Sequence, residues 1–184
     1  MEIIFLLIGK MPLFDTLCLS FGTAGTGGFG VKNDSIASYS TYNQVVITVF
    51  MILFGINFNA YYLLLTKKVM QAAKNEEVRY YLGIIGLAIV AIAINTREMF
   101  TSFGRAFQQA AFQVGSIITT TGYATTDFNV WPVFSKTILV ILMFVGACAG
   151  STGGGIKVSR LLILCKSARK ELQLYPVSYT HLRA

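Results

Sequence analysis

Apolar positions along this 184-residue chain fall into blocks of two lengths. The long blocks cover 44–65, 78–95 and 137–165. Each approaches or exceeds the ~20 residues that cross roughly 30 Å of hydrocarbon at about 1.5 Å per residue. The second is short for a span, and the third is interrupted by glycines. The short blocks are 13–21 and 103–118, where apolar side chains recur at helical spacing: Leu13, Phe14, Leu17 and Phe21 in one, and Phe103, Phe107, Ala110, Ala111 and Val114 in the other. Pro12 suits a helix start, and Asp15 in the first turn complements the helix dipole. Residues 1–9 are apolar but too short to span, and are expected to be the end of a longer span. They lack the basic start and cleavage site of a signal peptide.

Between each short block and the next long one lies a Thr/Gly-rich turn. The first is Thr23-Ala24-Gly25-Thr26-Gly27-Gly28-Phe29-Gly30, and the second is Ile118-Thr119-Thr120-Thr121-Gly122-Tyr123-Ala124-Thr125-Thr126-Asp127. Aligning Gly28 with Gly122 places Thr26 on Thr120, Phe29 on Tyr123, and Asn43 on Thr137, where the next apolar run begins. The chain therefore reads as one device built twice: half-helix, turn, span. A half-helix that enters and leaves on the same side is re-entrant. Irregular backbone at membrane depth is tolerated only where it is buried in protein or lines a watery cavity. The polar loops 31–42 and 124–136 suit an outer mouth.

Composition agrees with a membrane protein. The chain is 54% hydrophobic and 12% charged, against about a quarter charged in soluble domains. Lys67, Lys68, Lys74 and Arg79 lie in 66–79, and Lys157, Arg160, Lys166, Arg169 and Lys170 follow the third block. The positive-inside rule puts both segments in the cytoplasm and both turns near the outer side. The net charge of +7 is thus a topology signal, and its scatter around spans argues against nucleic acid as a partner. Arg97, Glu98 and Arg105 read as interfacial anchors, and Lys157 as an anchor of the inner end. Cys18, Cys148 and Cys165 show no metal or disulfide spacing and read as small buried hydrophobes. No Ser/His/Asp set, carboxylate pair or metal cluster is present, so an enzyme is not expected; the only histidine is His181.

The turns have the residues of a carbonyl filter. An alkali cation gives up its water only to an equivalent set of oxygens, which a ring of main-chain carbonyls supplies. Aligning successive carbonyls requires positive φ, which glycine adopts freely, and this is the expected use of Gly27, Gly28 and Gly122. Thr26, Thr120 and Thr121 add hydroxyl oxygen, while Phe29 and Tyr123 are expected to pack behind and hold the width. The half-helix C-termini aim partial negative charge at the cation. Gly25-Thr26-Gly27-Gly28-Phe29-Gly30 also fits the dinucleotide pattern G-x-G-x-x-G, but no strand precedes it and no helix opens on it. The run Gly146-Ala147-Cys148-Ala149-Gly150-Ser151-Thr152-Gly153-Gly154-Gly155 breaks the third block, each glycine costing roughly 1 kcal/mol in a helix. Below an outer filter such a loop would cross the conduction path as a gate. The alternative is close packing through small residues.

With these residues in place the chain resembles the Trk/Ktr/HKT superfamily of potassium transporters, closest to the bacterial Trk-type membrane subunit. The matching pieces are Phe14-Asp15-Thr16 leading to Gly25-Thr26-Gly27-Gly28-Phe29, Phe54-Gly55-Ile56-Asn57-Phe58, Thr119 to Phe128, and Gly146 to Lys157. The resemblance implies an all-α membrane protein of tandem span/pore-helix/span repeats with re-entrant filter loops. Residues 1–66 would be the end of repeat two, 67–77 a cytoplasmic linker and 78–176 repeat three, with repeats one and four missing. Residues 177–184 do not resemble the family. Gly28 and Gly122 would be filter glycines, and 146–155 an intramembrane gating loop. The implied transported ion is K+, with no cofactor. The implied partners are membrane lipid, a second copy in a homodimer and a cytosolic nucleotide-binding regulatory subunit, and the implied location is the bacterial inner membrane, crossed several times. Two other readings remain. One is a secondary transporter of a small solute using broken helices, for which only Asn57 and Asn59 offer polarity in an unbroken span. The other is a non-transporting membrane scaffold.

Overall fold

Two buried clusters organise the chain, one for each copy of the device. In the computed structural model, which describes residues 1–68, 70 and 75–180, the protein is helical, with no strand among the described residues. The first half runs α1 (Glu2–Ile8), α2 (Leu13–Ala24), α3 (Thr41–Phe54) and α4 (Phe58–Leu65). The second runs α5 (Glu76–Asn95), α6 (Phe103–Ile118), α7 (Val133–Phe144) and α8 (Val158–Thr180), with single 3-10 turns at Arg97–Met99 and Phe128–Val130. Lys74 and part of the 67–77 linker lie outside the described residues, as do His181 and the last four residues.

The half-helices form where the apolar spacing puts them. Pro12 caps α2, and the Ser102 hydroxyl caps α6 by accepting from the Arg105 amide at 3.3 Å. Both are 3₁₀-free until they end at a Thr/Gly turn. The first cluster packs Leu6, Leu19, Ile36, Ile47 and Met51 with Phe112 and Tyr123, which reach in from the second half. The second packs α5, α6 and α7 around Tyr81, Ile92, Val114 and Leu139, and extends to Ala147, Cys148 and Val158. Helix α6 lies between the two, against α3, α5 and α7.

Three expectations about spans change. The run 44–65 is not one helix: it bends by 92° between α3 and α4. Asn57 caps the helix that follows the break, its side-chain oxygen accepting from the Asn59 amide at 2.8 Å. The run 137–165, by contrast, is broken where expected, into α7, an extended loop and the start of α8. Only α5 is long and apolar enough by itself to cross a membrane among the described residues, and the α3–α4 pair qualifies if counted together. Finally, α3 and α7 begin at Thr41 and Val133, earlier than the apolar runs suggest, because Ser40 and Pro132 supply the helix starts.

The face of α2 is also reversed from what amphipathicity in water would give. Leu13, Phe14 and Phe21 are exposed, whereas Asp15, Thr16, Ser20 and Thr23 are buried. Polar groups buried inside a protein must find hydrogen-bond partners there. Asp15 accepts from the Tyr39 hydroxyl at 2.8 Å, and Thr23 donates to the Leu19 carbonyl at 2.7 Å. Burial and the Asp15 carboxylate hold the Tyr39 phenol well above its usual pKa, so it stays a donor. The cysteines divide: Cys148 is buried as expected, Cys18 half-buried, and Cys165 exposed.

Candidate functional site

The two turns share four equivalent hydrogen bonds at a spacing of 94 residues (122 − 28 = 94). The Gly25 amide donates to the Phe21 carbonyl, as Thr119 does to Gly115. The Thr26 amide donates to Thr23 as Thr120 does to Ile117, and Gly27 to Gly22 as Thr121 does to Ser116, at 2.8 and 2.9 Å. The Thr26 hydroxyl turns to its neighbour, the Gly25 carbonyl, at 2.8 Å; Thr120 does the same to Thr119 at 2.7 Å. The backbone angles match too. Thr26 and Gly28 have φ of 50° and 70°, and Thr120 and Gly122 have 58° and 87°.

Positive φ therefore falls on every second residue. Gly27 is not among these positions, which corrects its expected use, and Thr26 and Thr120 take the strain instead. A β-branched residue in this region is an outlier, at a cost of about 1–3 kcal/mol. Alternating handedness gathers successive N–H groups on one edge of a turn and leaves the carbonyls on the other. Here the N–H edge is occupied: Thr121 and Gly122 both donate to the Ser116 carbonyl, at 2.9 and 3.3 Å. The carbonyl edge is what such a turn offers to a cation.

The turns also touch. A Cβ on Gly28 would lie 1.9 Å from the Thr121 carbonyl oxygen and 3.3 Å from the Gly122 Cα. Their exits are joined as well, with the Ile36 amide donating to the Ala124 carbonyl at 3.1 Å and the Ala124 amide to the Ser35 hydroxyl at 3.2 Å. Tyr123 packs behind as expected: it is 1% exposed, and its hydroxyl donates to the Leu19 carbonyl of the other half at 3.3 Å. Phe29 does not follow suit. It is 86% exposed, so the expectation that it braces the first turn fails within this chain. Its alignment with Tyr123 comes from sequence position, whereas Tyr123 packs in the cluster with Leu19 of α2 and Ile47 and Met51 of α3.

The glycine run lies directly against these turns. The Thr26 hydroxyl is 3.2 Å from the Thr152 carbonyl, and the Gly154 amide donates to the Thr120 hydroxyl at 2.7 Å. Gly146 and Gly155 close the base of the loop, where Val145 and Ile156 bridge and the Gly146 amide donates to the Ile156 carbonyl at 2.8 Å. A side chain on Gly146 would meet the Gly154 carbonyl at 2.1 Å, so this neck admits only glycine. Gly150 turns with φ of 71°, Ser151 donates to the Cys148 carbonyl at 2.7 Å, and Gly153 receives the Lys157 ammonium on its carbonyl. Lys157 thus folds back onto the loop rather than reaching outward as an anchor.

Sequence reasoning missed what stands behind the loop. The Cys148 amide donates to Gly55 and the Phe58 amide to Gly150, both at 3.1 Å, which ties the α3–α4 bend to the glycine run. Glu77, 9% exposed, accepts there too. The available signal was a glycine and an asparagine two residues apart inside an apolar run.

Comparison with known proteins gives consistent results. Residues 6–176 match the TrkH family, described as a cation transport protein. A Trk system potassium uptake protein TrkH from Vibrio parahaemolyticus is 35% identical over 175 residues, covering 92% of this chain and 36% of that protein. The TrkH of Salmonella typhimurium is 32% identical over 167 residues, 89% of this chain and 35% of that one. The crystal structure of the potassium transporter TrkH from Vibrio parahaemolyticus superposes with a TM-score of 0.86 at 33% identity, over 93% of this chain and 38% of that chain. The chain thus spans little more than a third of the proteins it matches.

Proposed function

The chain belongs to the TrkH family of cation transport proteins, and from that premise we propose that it is the central portion of a potassium uptake transporter of the bacterial inner membrane. The carbonyls of Thr26 to Phe29 and of Thr120 to Tyr123 take over the hydration shell of K+, the transported ion, with the hydroxyls of Thr26, Thr120 and Thr121 at the inner end. Residues 146–155 form the gate beneath. The half-helices α2 and α6 are re-entrant, and they direct the partial negative charge of their C-termini at the ion. The complete transporter works as a homodimer with a cytosolic nucleotide-binding regulatory subunit. It carries no catalytic centre.

The observation that carries this reading is the matched alternation of φ at 26–28 and 120–122 in two turns that abut. Single left-handed residues also occur in ordinary turns of this chain, at Lys10, Ser35 and Lys67; what sets Thr26 and Thr120 apart is a left-handed glycine two residues on, repeated at equivalent places. The test is growth on limiting potassium of a cell lacking its own uptake systems, complemented by the full-length protein. The parent protein restores growth, and Gly122→Ser, expressed to the same level, does not. Equal growth with both would remove the filter from this turn.

The broken α3–α4 pair raises the second reading, a solute transporter with a binding site at unwound backbone. Such a site needs a free polar group. Asn57 is already engaged at both ends of its side chain, its oxygen capping α4 and its amide nitrogen donating to Glu77 at 3.3 Å, which favours a structural role for it.

A further inference from the structure

Glu77 opens α5 at the same end of the molecule as the α3–α4 bend and the start of α8. Its Oε1 accepts from the Ala149 amide at 2.6 Å and from the Ser159 amide at 3.3 Å. Its Oε2 accepts from the Asn57 side chain at 3.3 Å. One carboxylate therefore joins the loop, the helix that follows it and the bend of the other half. Ser159 is in the first turn of α8, where amides have no partner within the helix and a negative group complements the dipole.

We propose that Glu77 is a positioning residue for the 146–155 loop, a latch that holds it against the filter turns; this rests on reading that loop as the gate. The loop has two kinds of support. From the filter side it is held by the Thr26 and Thr120 hydroxyls. From behind it is held by two main-chain bonds to the α3–α4 bend and by Glu77. Hydrogen bonds to a charged group are roughly twice as strong as neutral ones; two charged side chains hold the loop, Lys157 on the Gly153 carbonyl and Glu77 on the Ala149 amide, and of these Glu77 alone ties it to other helices. It also touches nothing in the filter, so its loss should free the loop without changing which ion passes.

The test is Rb+ flux, with Na+ flux alongside, in vesicles containing the complete transporter without its regulatory subunit. Losing one charge-assisted bond from the closed state shifts the loop equilibrium about tenfold. Glu77→Ala is therefore expected to raise basal Rb+ flux about tenfold while the Rb+/Na+ ratio stays at the parent value, and to speed thiol labelling at Ser151→Cys. Glu77→Asp returns both toward the parent. A Gly153–Gly155 deletion is measured in parallel and should raise flux whatever residue stands at 77. If the deletion opens the pathway and Glu77→Ala leaves flux and labelling unchanged, the latch is refuted and the gate stands. If the deletion leaves flux unchanged, the gate reading fails and the latch with it. Should Glu77→Ala not accumulate, Glu77→Gln decides: raised flux supports the latch, and parental flux overturns it.

Discussion

Single residues separate Gly28 from Gly122, which the sequence treats as equivalents. Gly28 is constrained twice, by φ of 70° and by the Thr121 carbonyl at 1.9 Å from any Cβ, whereas Gly122 has φ of 87° and open space around it within this chain. Gly122→Ala should therefore cost only the left-handed penalty, about 1–2 kcal/mol. Gly28→Ala adds a backbone clash that no rotamer change relieves, and should cost at least about twice as much. Thermal melting of the two purified variants checks the order, and equal losses would mean that the turns do not meet at Gly28. The sequence shows which turn carries each glycine because each Thr/Gly cluster follows a short amphipathic block and precedes a long apolar one. It cannot show that Thr26, rather than Gly27, takes the positive φ. Local propensity assigns such angles to glycine, while here the threonine hydroxyl, bonded to the preceding carbonyl, offsets part of the strain.

At the scale of elements, both half-helices and the glycine-broken third run are legible, and the break at 55–57 is not. Hydropathy counts side chains; a bend is decided by where amides and carbonyls find partners. Gly55 gives its carbonyl to Cys148 and Phe58 gives its amide to Gly150, so the chain leaves the helix there to bond a segment nearly a hundred residues away. The local cue is Asn57, whose side chain caps α4. Asn57→Ala removes that cap and one bond to Glu77, and should lower stability by about 1–2 kcal/mol. Thermal melting of the full-length variant measures it. A melting temperature equal to the parent's would show that the bend is imposed from the loop side alone. The face of α2 teaches the same lesson: apolar periodicity locates the helix correctly, but it does not say which face this chain buries.

For the molecule as a whole, charge order along the chain sets an orientation that the packing supports. The two basic segments come together, since α5 packs on α8 and Lys166 pairs with Glu76 at 2.5 Å. The pair itself, 63% and 62% exposed, adds little, because exposed ion pairs contribute about 0–1 kcal/mol. Orientation rests instead on the count of lysines and arginines near the span ends. The exits of the two turns are joined to each other, the Ile36 amide donating to the Ala124 carbonyl, and by the charge rule they face away from the basic segments. A membrane-impermeant thiol reagent should then label exposed Cys165 in inside-out vesicles and not in right-side-out ones, and Ser38→Cys in the reverse sense. Neutralising Lys166 should leave this pattern intact, since one exposed pair cannot outweigh the remaining basic residues. Labelling of Cys165 and Ser38→Cys from the same side would place filter mouth and basic ends together, and the loop at 146–155 could then no longer lie on the cytoplasmic side of the turns it touches.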